Sequence, residues 1–366
     1  MVVISLSQLF HCHFQEGSVT QASIQAVARE AGVSVSTVSR AFAKPDLVLP
    51  ETRERVMAAA EKLNYRISRS AAALKSGQSF RIALLLSESI VTWFNSRIYA
   101  GLDSVFHPAG YDISVFSMTN ADERRNFFTD LPVRRNVDAV VVSSFNIEPD
   151  ESRKLKSMNV PIVGINIPSN NGFDAGVSID DHAAEHIAVD HLVALGHHRI
   201  AYIGYDEMDD RSALRYSASA RLQGFMDACN SYPGVTPMPL SLDHAGDPAN
   251  AVLNCIISAS PAPSAVCLCD DELAIPALFR LRQYGRRIPQ DLSLIGFDDN
   301  LYAPSLGLTT LHQDPYAMGA KAAQKTLALI SSDSKHPSAA AEPRFETPQV
   351  QLMLRETTAP YVDPDA

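Results

Sequence analysis

The stretch IQAVAREAGVSVSTVSRAF, residues 24–42, decides how the amino-terminal part of the chain folds. Ile24, Val27, Ala28 and Ala31 recur at helical spacing and make one apolar face. Gly32 then breaks the helix, because only glycine takes positive φ at little cost. Ser34 is placed to cap a second helix, running from Val35 to about Phe42 with Val38 inward. Val35, Ser36, Ser39 and Arg40 are left facing out, with Ser34 and Thr37 beside them. Two short helices around a glycine turn, the second outwardly polar, read as a helix-turn-helix. In that reading the second helix enters the major groove, where Arg40 can donate two bonds to a guanine edge. A plain helical hairpin would show the same local pattern.

Charge separates the two readings. The first 81 residues carry 10 Lys+Arg against 6 Asp+Glu, whereas the rest carries 21 against 35, for a net charge of −10. A basic head on an acidic body fits a nucleic-acid module joined to one that does not bind nucleic acid. A solvated acidic surface without function is the bland alternative.

A third helix is predicted from Pro50, with Glu51 and Glu54 in its first turn. Val56, Ala59, Ala60 and Leu63 form its inner face, and Asn64 offers a left-handed end. Leu49 stands where a capping Ser or Asp is expected, so this start is weakly capped. Residues 66–80 (RISRSAAALKSGQSF) are basic and too poor in apolar anchors to fold alone. They read as a linker able to become helical on a polyanion. Residues 1–18 contain no Lys or Arg, lack the basic start of a secretory signal, and read as a disordered extension.

From Arg81 short apolar runs alternate with helical stretches. Strands are predicted at Ile82–Leu86, Ile113–Phe116, Ala139–Ser143 and Ile162–Ile165, with helices between them. The alternation restarts after Asp180, with strands at Ile200–Ile203, Ala265–Cys269 and Ser293–Phe297, and a closing strand at Val350–Leu354. This pattern means βαβ units and two doubly wound halves, with a cleft at the carboxyl ends of the strands.

Other classes find little support. Five cysteines without regular spacing suggest reduced thiols and a cytoplasmic setting. No apolar run reaches membrane-spanning length, so no membrane contact is expected. No glycine-rich phosphate loop follows the first strand, and no nucleophile motif or metal cluster is visible, so neither an enzyme nor a cofactor is expected. The clusters Asp180-Asp181-His182 and Asp270-Asp271-Glu272 sit where helices begin, and capping accounts for them. A solute-binding protein would suit the core but not the basic head.

The order of these parts resembles the lactose-repressor (LacI/GalR) family of bacterial transcription regulators over about residues 22–360. AREAGVSVSTVSRAF resembles its helix-turn-helix, and ETRERVMAAAEKLNYR its third helix. HLVALGHHRIAYIG (191–204), RLQGF (221–225), IGFDD (295–299) and LTTLHQD (308–314) are similar to landmarks of its core. The resemblance implies a small all-α helix-turn-helix domain at about 20–65, a hinge at 66–80 and a periplasmic-binding-protein-like core at 81–356. The core would comprise two α/β subdomains, about 81–179 with 312–344 and about 180–310 with 345–356. It implies a homodimer on a palindromic double-stranded operator, acting as a repressor of carbohydrate-related genes. No heptad run follows residue 355, which favours a dimer over a tetramer.

By the same resemblance Val35, Ser36 and Arg40 match base-reading positions, and Leu74 matches a leucine wedged into the minor groove. Its plain alternative is a buried linker leucine. Ala26 stands where the family usually has an acidic residue, and Ile67 where the hinge usually has proline, which loosens the hinge. For a small-molecule effector, Arg221, Asp298 and Asp270 match polar contacts, Trp93 and Phe94 line the first half of the cleft, and Asn166 and Ser217 are further candidates. An Arg fork with carboxylates suits a polyol, hence a sugar, although a nucleobase or another metabolite is the alternative. Arg221 with Asp298 could equally be a structural ion pair, and Trp93 and Phe94 plain core.

Overall fold

The computed structural model describes residues 22–43, 45–65, 78–118, 120–130, 136–205, 216–242, 246–331 and 343–362. The chain divides into two compact units, residues 1–77 and 78–366. The predicted extension at 1–18, Leu74, Ile67 and the rest of the linker up to residue 77 lie outside the described residues.

In the first unit, α1 (Ile24–Ala31) starts where Ser23 Oγ accepts the Ala26 amide. It ends at Gly32, whose φ of +64° lets its N–H return to the Ala28 and Arg29 carbonyls. Ser34 accepts the Thr37 amide at 3.2 Å and so caps α2 (Val35–Ala43). The third helix, α3 (Pro50–Lys62), opens at Leu49 without a side-chain cap, and Asn64 follows it with φ +46°. Val27, Ala28, Ala31, Val38, Ala41, Val56, Ala59 and Ala60 form the core of this unit. Most of these side chains are alanine, so the helices approach closely and each apolar contact is small.

Among its described residues the second unit contains two six-stranded sheets. The first has the order β11-β5-β4-β3-β1-β2 and is parallel throughout. Its strands are β1 (Arg81–Leu86), β2 (Asp112–Ser117), β3 (Ala139–Ser143), β4 (Ile162–Ile165), β5 (Ala175–Val177) and β11 (Phe345–Glu346). The second has the order β12-β10-β9-β8-β6-β7, parallel except for β12 against β10. Its strands are β6 (Arg199–Tyr205), β7 (Thr236–Leu242), β8 (Ala265–Leu268), β9 (Ser293–Asp298), β10 (Thr309–His312) and β12 (Gln351–Met353). Central strands such as β3 and β8 are buried at every position, as parallel strands covered by helices on both faces must be.

The helices of this unit are α4 (Trp93–Phe106), α5 (Ala121–Asp130), α6 (Pro149–Lys156), α7 (Asp181–Ala194) and α8 (Tyr216–Asn230). They continue with α9 (Pro248–Ser258), α10 (Asp271–Gln283) and α11 (Pro315–Ser331). The chain passes between sheets after β5, after β10 and after β11, so each lobe is assembled from separate parts of the sequence. Two expected boundaries shift. Phe345 and Glu346 extend the first sheet against β5, so the last crossing follows Glu346, and β10 keeps His312 with the second sheet. Ser79 and Phe80 donate their amides to the Asp138 carboxylate, which ties the end of the expected hinge to the core.

Helix α11 returns to pack on α4 at backbone contact. A Cβ on Gly101 would collide with the Tyr316 carbonyl oxygen, and one on Gly319 with that of Ile98. Strand β7 is absent from the predicted set because TPMPLSL carries two prolines. On an edge strand their missing N–H groups interrupt no ladder. Strands β5 and β11, at 3 and 2 residues, are too short to show a period.

Candidate functional site

On α2, Val38 is fully buried, whereas Val35 is 42 % exposed and Ser34, Ser36 and Arg40 are exposed beside it. Ser34 Oγ lies 2.8 Å from Ser36 Oγ and 2.9 Å from Thr37 Oγ1, so the start of the helix presents a connected set of hydroxyls. Ser39 is half-buried. A helix with one apolar side inserted and a short, polar, Arg-bearing side outward has the shape that a DNA major groove admits.

The second candidate lies between the two sheets. A cavity of about 280 Å³ opens where β1, β4, β6, β8 and β9 end. Parallel strands leave their loops at that end, and helix starts converge on it. The cavity brings together Phe94, Asn166, Ser217, Arg221, Asp270 and Asp298 from separate parts of the chain. Trp93 is the expected cleft residue that does not line it. It is half-buried at the rim, where its amide donates to Glu272 Oε1 at 3.0 Å across the cleft.

Arg221 is the charged centre. A Cβ on Gly224 would collide with the His182 carbonyl oxygen, so α8 lies against the start of α7 at backbone contact. That approach places Arg221 Nε 2.8 Å from Asp181 Oδ1, with Nη1 donating to the Cys269 carbonyl at 2.6 Å. The guanidinium carbon stands 3.4 Å from the centroid of the Phe297 ring. Burial works against the charge, but Asp181 and then Asp298 outweigh it and raise the Arg221 pKa, so the group stays cationic. The bland reading is therefore half right with another partner. Arg221 is in a buried ion pair, but with Asp181. Its Nη2 donates to no described residue.

Asp298 sits at the end of β9 with φ +117°, a conformation rare for a residue with a side chain. Such strain costs about 1–3 kcal/mol and persists only where neighbours hold it. Here Gln313 Nε2 donates to Asp298 Oδ1 at 2.6 Å, and Asp299 is held by Arg355 at 2.6 Å. Burial raises the Asp298 pKa well above the ordinary carboxylate range, against the pull of Arg221. Asn166 at φ +48° donates to Asp181 Oδ2 at 3.3 Å.

Capping accounts for only part of the acidic clusters. Asp180 and Asp270 do cap, accepting the Ala183 and Leu273 amides. Asp181 and Asp271 turn inward instead. Asp271 accepts the Asn300 amide and the Thr310 hydroxyl, each at 2.8 Å, and burial pushes its pKa up to about 7. Glu185, one turn beyond Asp181, is 1 % exposed, and burial raises it to about 8. Asn95, Asp181, Asp247, Glu272 and Gln313 are site residues that pattern reading missed. Gln313 carried a signal as part of LTTLHQD, and Asp181 and Glu272 stood in the acidic clusters assigned to capping. Burial pushes the Cys229 thiol up to about 12, so it is not a thiolate nucleophile.

Residues 23–68 match the family model described as bacterial regulatory proteins, lacI family, and residues 189–358 match that of a periplasmic binding protein-like domain. The chain belongs to the lacI family. As a lacI-family protein it is a transcriptional regulator, with an amino-terminal helix-turn-helix and a two-subdomain α/β core. It is 28 % identical over 319 residues to the HTH-type transcriptional repressor PurR of Haemophilus influenzae (strain PittEE), covering 85 % of this chain and 91 % of that protein. It is 29 % identical over 344 residues to the repressor of the same name from Vibrio vulnificus (strain CMCP6), covering 92 % and 98 %. Among solved structures it resembles a transcriptional regulator CelR–cellobiose complex at TM-score 0.62 and 25 % identity, covering 92 % of this chain and all of that one. It also resembles the lac repressor dimer bound to operator and the anti-inducer ONPF, at TM-score 0.75 and 23 % identity, covering 93 % and 99 %. No helix among the described residues is long and apolar enough to cross a membrane.

Proposed function

We propose that this lacI-family regulator is a sequence-specific repressor, acting as a homodimer on a palindromic operator and controlled by a sugar bound in the cleft of its core. The observation that carries the reading is the convergence of Arg221, Asp298, Asp270 and Asn166 with the ring of Phe94 on one cavity. Vicinal hydroxyls both donate and accept, and a guanidinium beside carboxylates answers both needs. An aromatic face covers the C–H side of a sugar ring. Val35, Ser36 and Arg40 would read base edges, supported by the hydroxyls of Ser34, Thr37 and Ser39. For the dimer, the second lobe leaves Phe279, Tyr284, Leu301 and Tyr302 about half or more exposed, surface that a partner copy would cover.

An effector spanning both lobes would favour one closure angle and so shift the population able to dock both DNA heads. Coupling of this kind is worth about 1–3 kcal/mol. A nucleobase effector is the second reading, favoured by the PurR names of relatives that match most of the chain.

The test pairs operator binding with a thermal-shift screen of sugars and nucleobases, since a ligand of the folded state raises its stability. Arg221→Ala should keep operator binding and lose the ligand response, with an affinity loss of roughly 2–5 kcal/mol. A folded variant that answers effector like the parent refutes the assignment of Arg221. A screen in which nucleobases alone shift the melting curve replaces the sugar with the second reading.

A further inference from the structure

A hydrogen bond crosses the rim of the cleft from the backbone of the first lobe to a side chain of the second. Trp93 donates its amide to Glu272 Oε1 at 3.0 Å, over a sequence separation of 179. Trp93 opens α4 and Glu272 stands in the first turn of α10, so one carboxylate meets the starts of two helices from opposite lobes. The first amides of a helix have no partner inside it, and each helix start carries partial positive charge. With the lobes apart the Trp93 amide meets water. With the lobes together it meets a carboxylate.

The two sides of the contact differ in stiffness. On the first lobe the Ser89 carbonyl accepts the Thr92 amide at 3.4 Å, the Thr92 hydroxyl at 3.3 Å and Asn95 Nδ2 at 3.1 Å. Asn95 is buried, and this hub fixes the turn that presents the Trp93 amide. On the second lobe α10 carries Pro276 in its interior. Proline has no N–H to return to the Glu272 carbonyl, so the turn bearing Glu272 forgoes one helical bond. Asp270 ties that turn instead, accepting the Leu273 amide at 2.7 Å. A fixed catch therefore faces an arm on a loosened turn. Because Glu272 is exposed, the contact is a bias and not a lock. A carboxylate at a solvated helix start shifts an equilibrium by a factor of roughly two to five.

We propose that Glu272 is an interlobe latch, which clasps the first turn of α4 and draws the cleft toward closure before any effector is bound. The proposal takes from the reading above only that the two lobes move about the cleft, and it is independent of the effector's identity. An effector then acts on lobes that the protein has already biased.

The experiment uses the full chain without effector or DNA. Trp93 is the only tryptophan of the sequence, so its emission and its quenching by acrylamide report on this rim. Hydrogen exchange of residues 269–276 reports on the opposite lobe. Glu272→Ala should make Trp93 more quenchable and speed exchange in 269–276 by roughly two- to fivefold. Glu272→Gln, which keeps an acceptor oxygen at the same reach, should fall between that variant and the parent. Raising salt should move the parent in the direction of Glu272→Ala.

A second pair removes the donor and leaves Glu272 in place. Trp93→Pro deletes only the amide that Trp93→Ala retains. Proline suits the first position of a helix, and Thr92 at φ −60° and ψ 149° already has the backbone that precedes proline. The proline variant should exchange faster in 269–276 than the alanine variant, a difference that a local disturbance of α4 would not carry to the other lobe. Equal exchange in that pair overturns the latch, as does Glu272→Ala with the parent's quenching and exchange. Should the proline variant fail to fold by circular dichroism, the Glu272 series decides alone. Failure of the latch leaves the regulator reading intact, because neither operator nor effector enters the measurement. Absence of specific operator binding by the parent would remove that reading and leave the latch standing.

Discussion

Replacing Glu185 by glutamine should remove one pH-dependent part of the core's stability. Glu185 sits on α7 beneath Arg221, is 1 % exposed, and has Oε2 without a hydrogen-bond partner. Burial, opposed by Arg221 and reinforced by Asp181, raises its pKa from 4.5 to about 8. The folded state therefore holds a proton that the unfolded state releases above pH 4.5. Stability from this group is fully present below the unfolded value and falls as pH climbs toward the folded one. An elevation of about 3.5 corresponds to somewhat under 5 kcal/mol in full, of which roughly 3–4 kcal/mol is lost between pH 5 and pH 8. Glu185→Gln keeps the shape and removes the ionisation. Any fixed cost of the amide shifts the variant's whole curve, so the readout is the difference between the two proteins as a function of pH. Urea unfolding at pH 5, 6, 7 and 8 should show the variant gaining on the parent by roughly 3–4 kcal/mol across that range, with m-values unchanged. Two curves that stay parallel would refute the argument, because they would mean that Glu185 ionises in the folded core as readily as in the unfolded chain.

Three further predictions concern packing and DNA. Gly101→Ala should lower core stability by roughly 3 kcal/mol or more, since its Cβ meets the Tyr316 carbonyl and α11 cannot withdraw without leaving α4; a melting temperature equal to the parent's would contradict this. Arg40→Ala should lose about 1–3 kcal/mol of operator affinity and relax specificity at one base pair per half-site, as read by binding to a library of single-base variants. Leu74→Ala should weaken operator binding while the melting temperature of the core holds, with partial rescue on a nicked or pre-bent site; equal binding to the intact duplex would rule out the wedge.

Local chemistry was enough for much of this protein. Gly32, Ser34 and Asn64 act through their own backbone or a hydroxyl reaching three residues along, so the helix-turn-helix and its ends are written in adjacent residues. Central strands such as Ala139–Ser143 and Ile162–Ile165 announce themselves because a parallel strand buried on both faces must be a run of apolar residues. Landmark segments such as RLQGF and IGFDD pointed to Arg221 and Asp298 as candidates before any contact was known.

Tertiary structure decided the rest, for reasons that no window of sequence contains. The two prolines of β7 read as a breaker until the sheet order places that strand at an edge. Phe345 and Glu346 join a strand about 170 positions earlier, a pairing visible only when the chain has crossed back. Asp180 and Asp181 are adjacent and chemically identical, yet one caps a helix in solvent and the other is buried against Arg221, 40 positions away. That difference follows from a 100° turn of the helix and the backbone approach that Gly224 permits. Asn95 Oδ1 and Gln313 Oε1 are left buried without a partner because their amide nitrogens donate to the Ser89 carbonyl and to Asp298, an outcome of packing that no residue pattern shows.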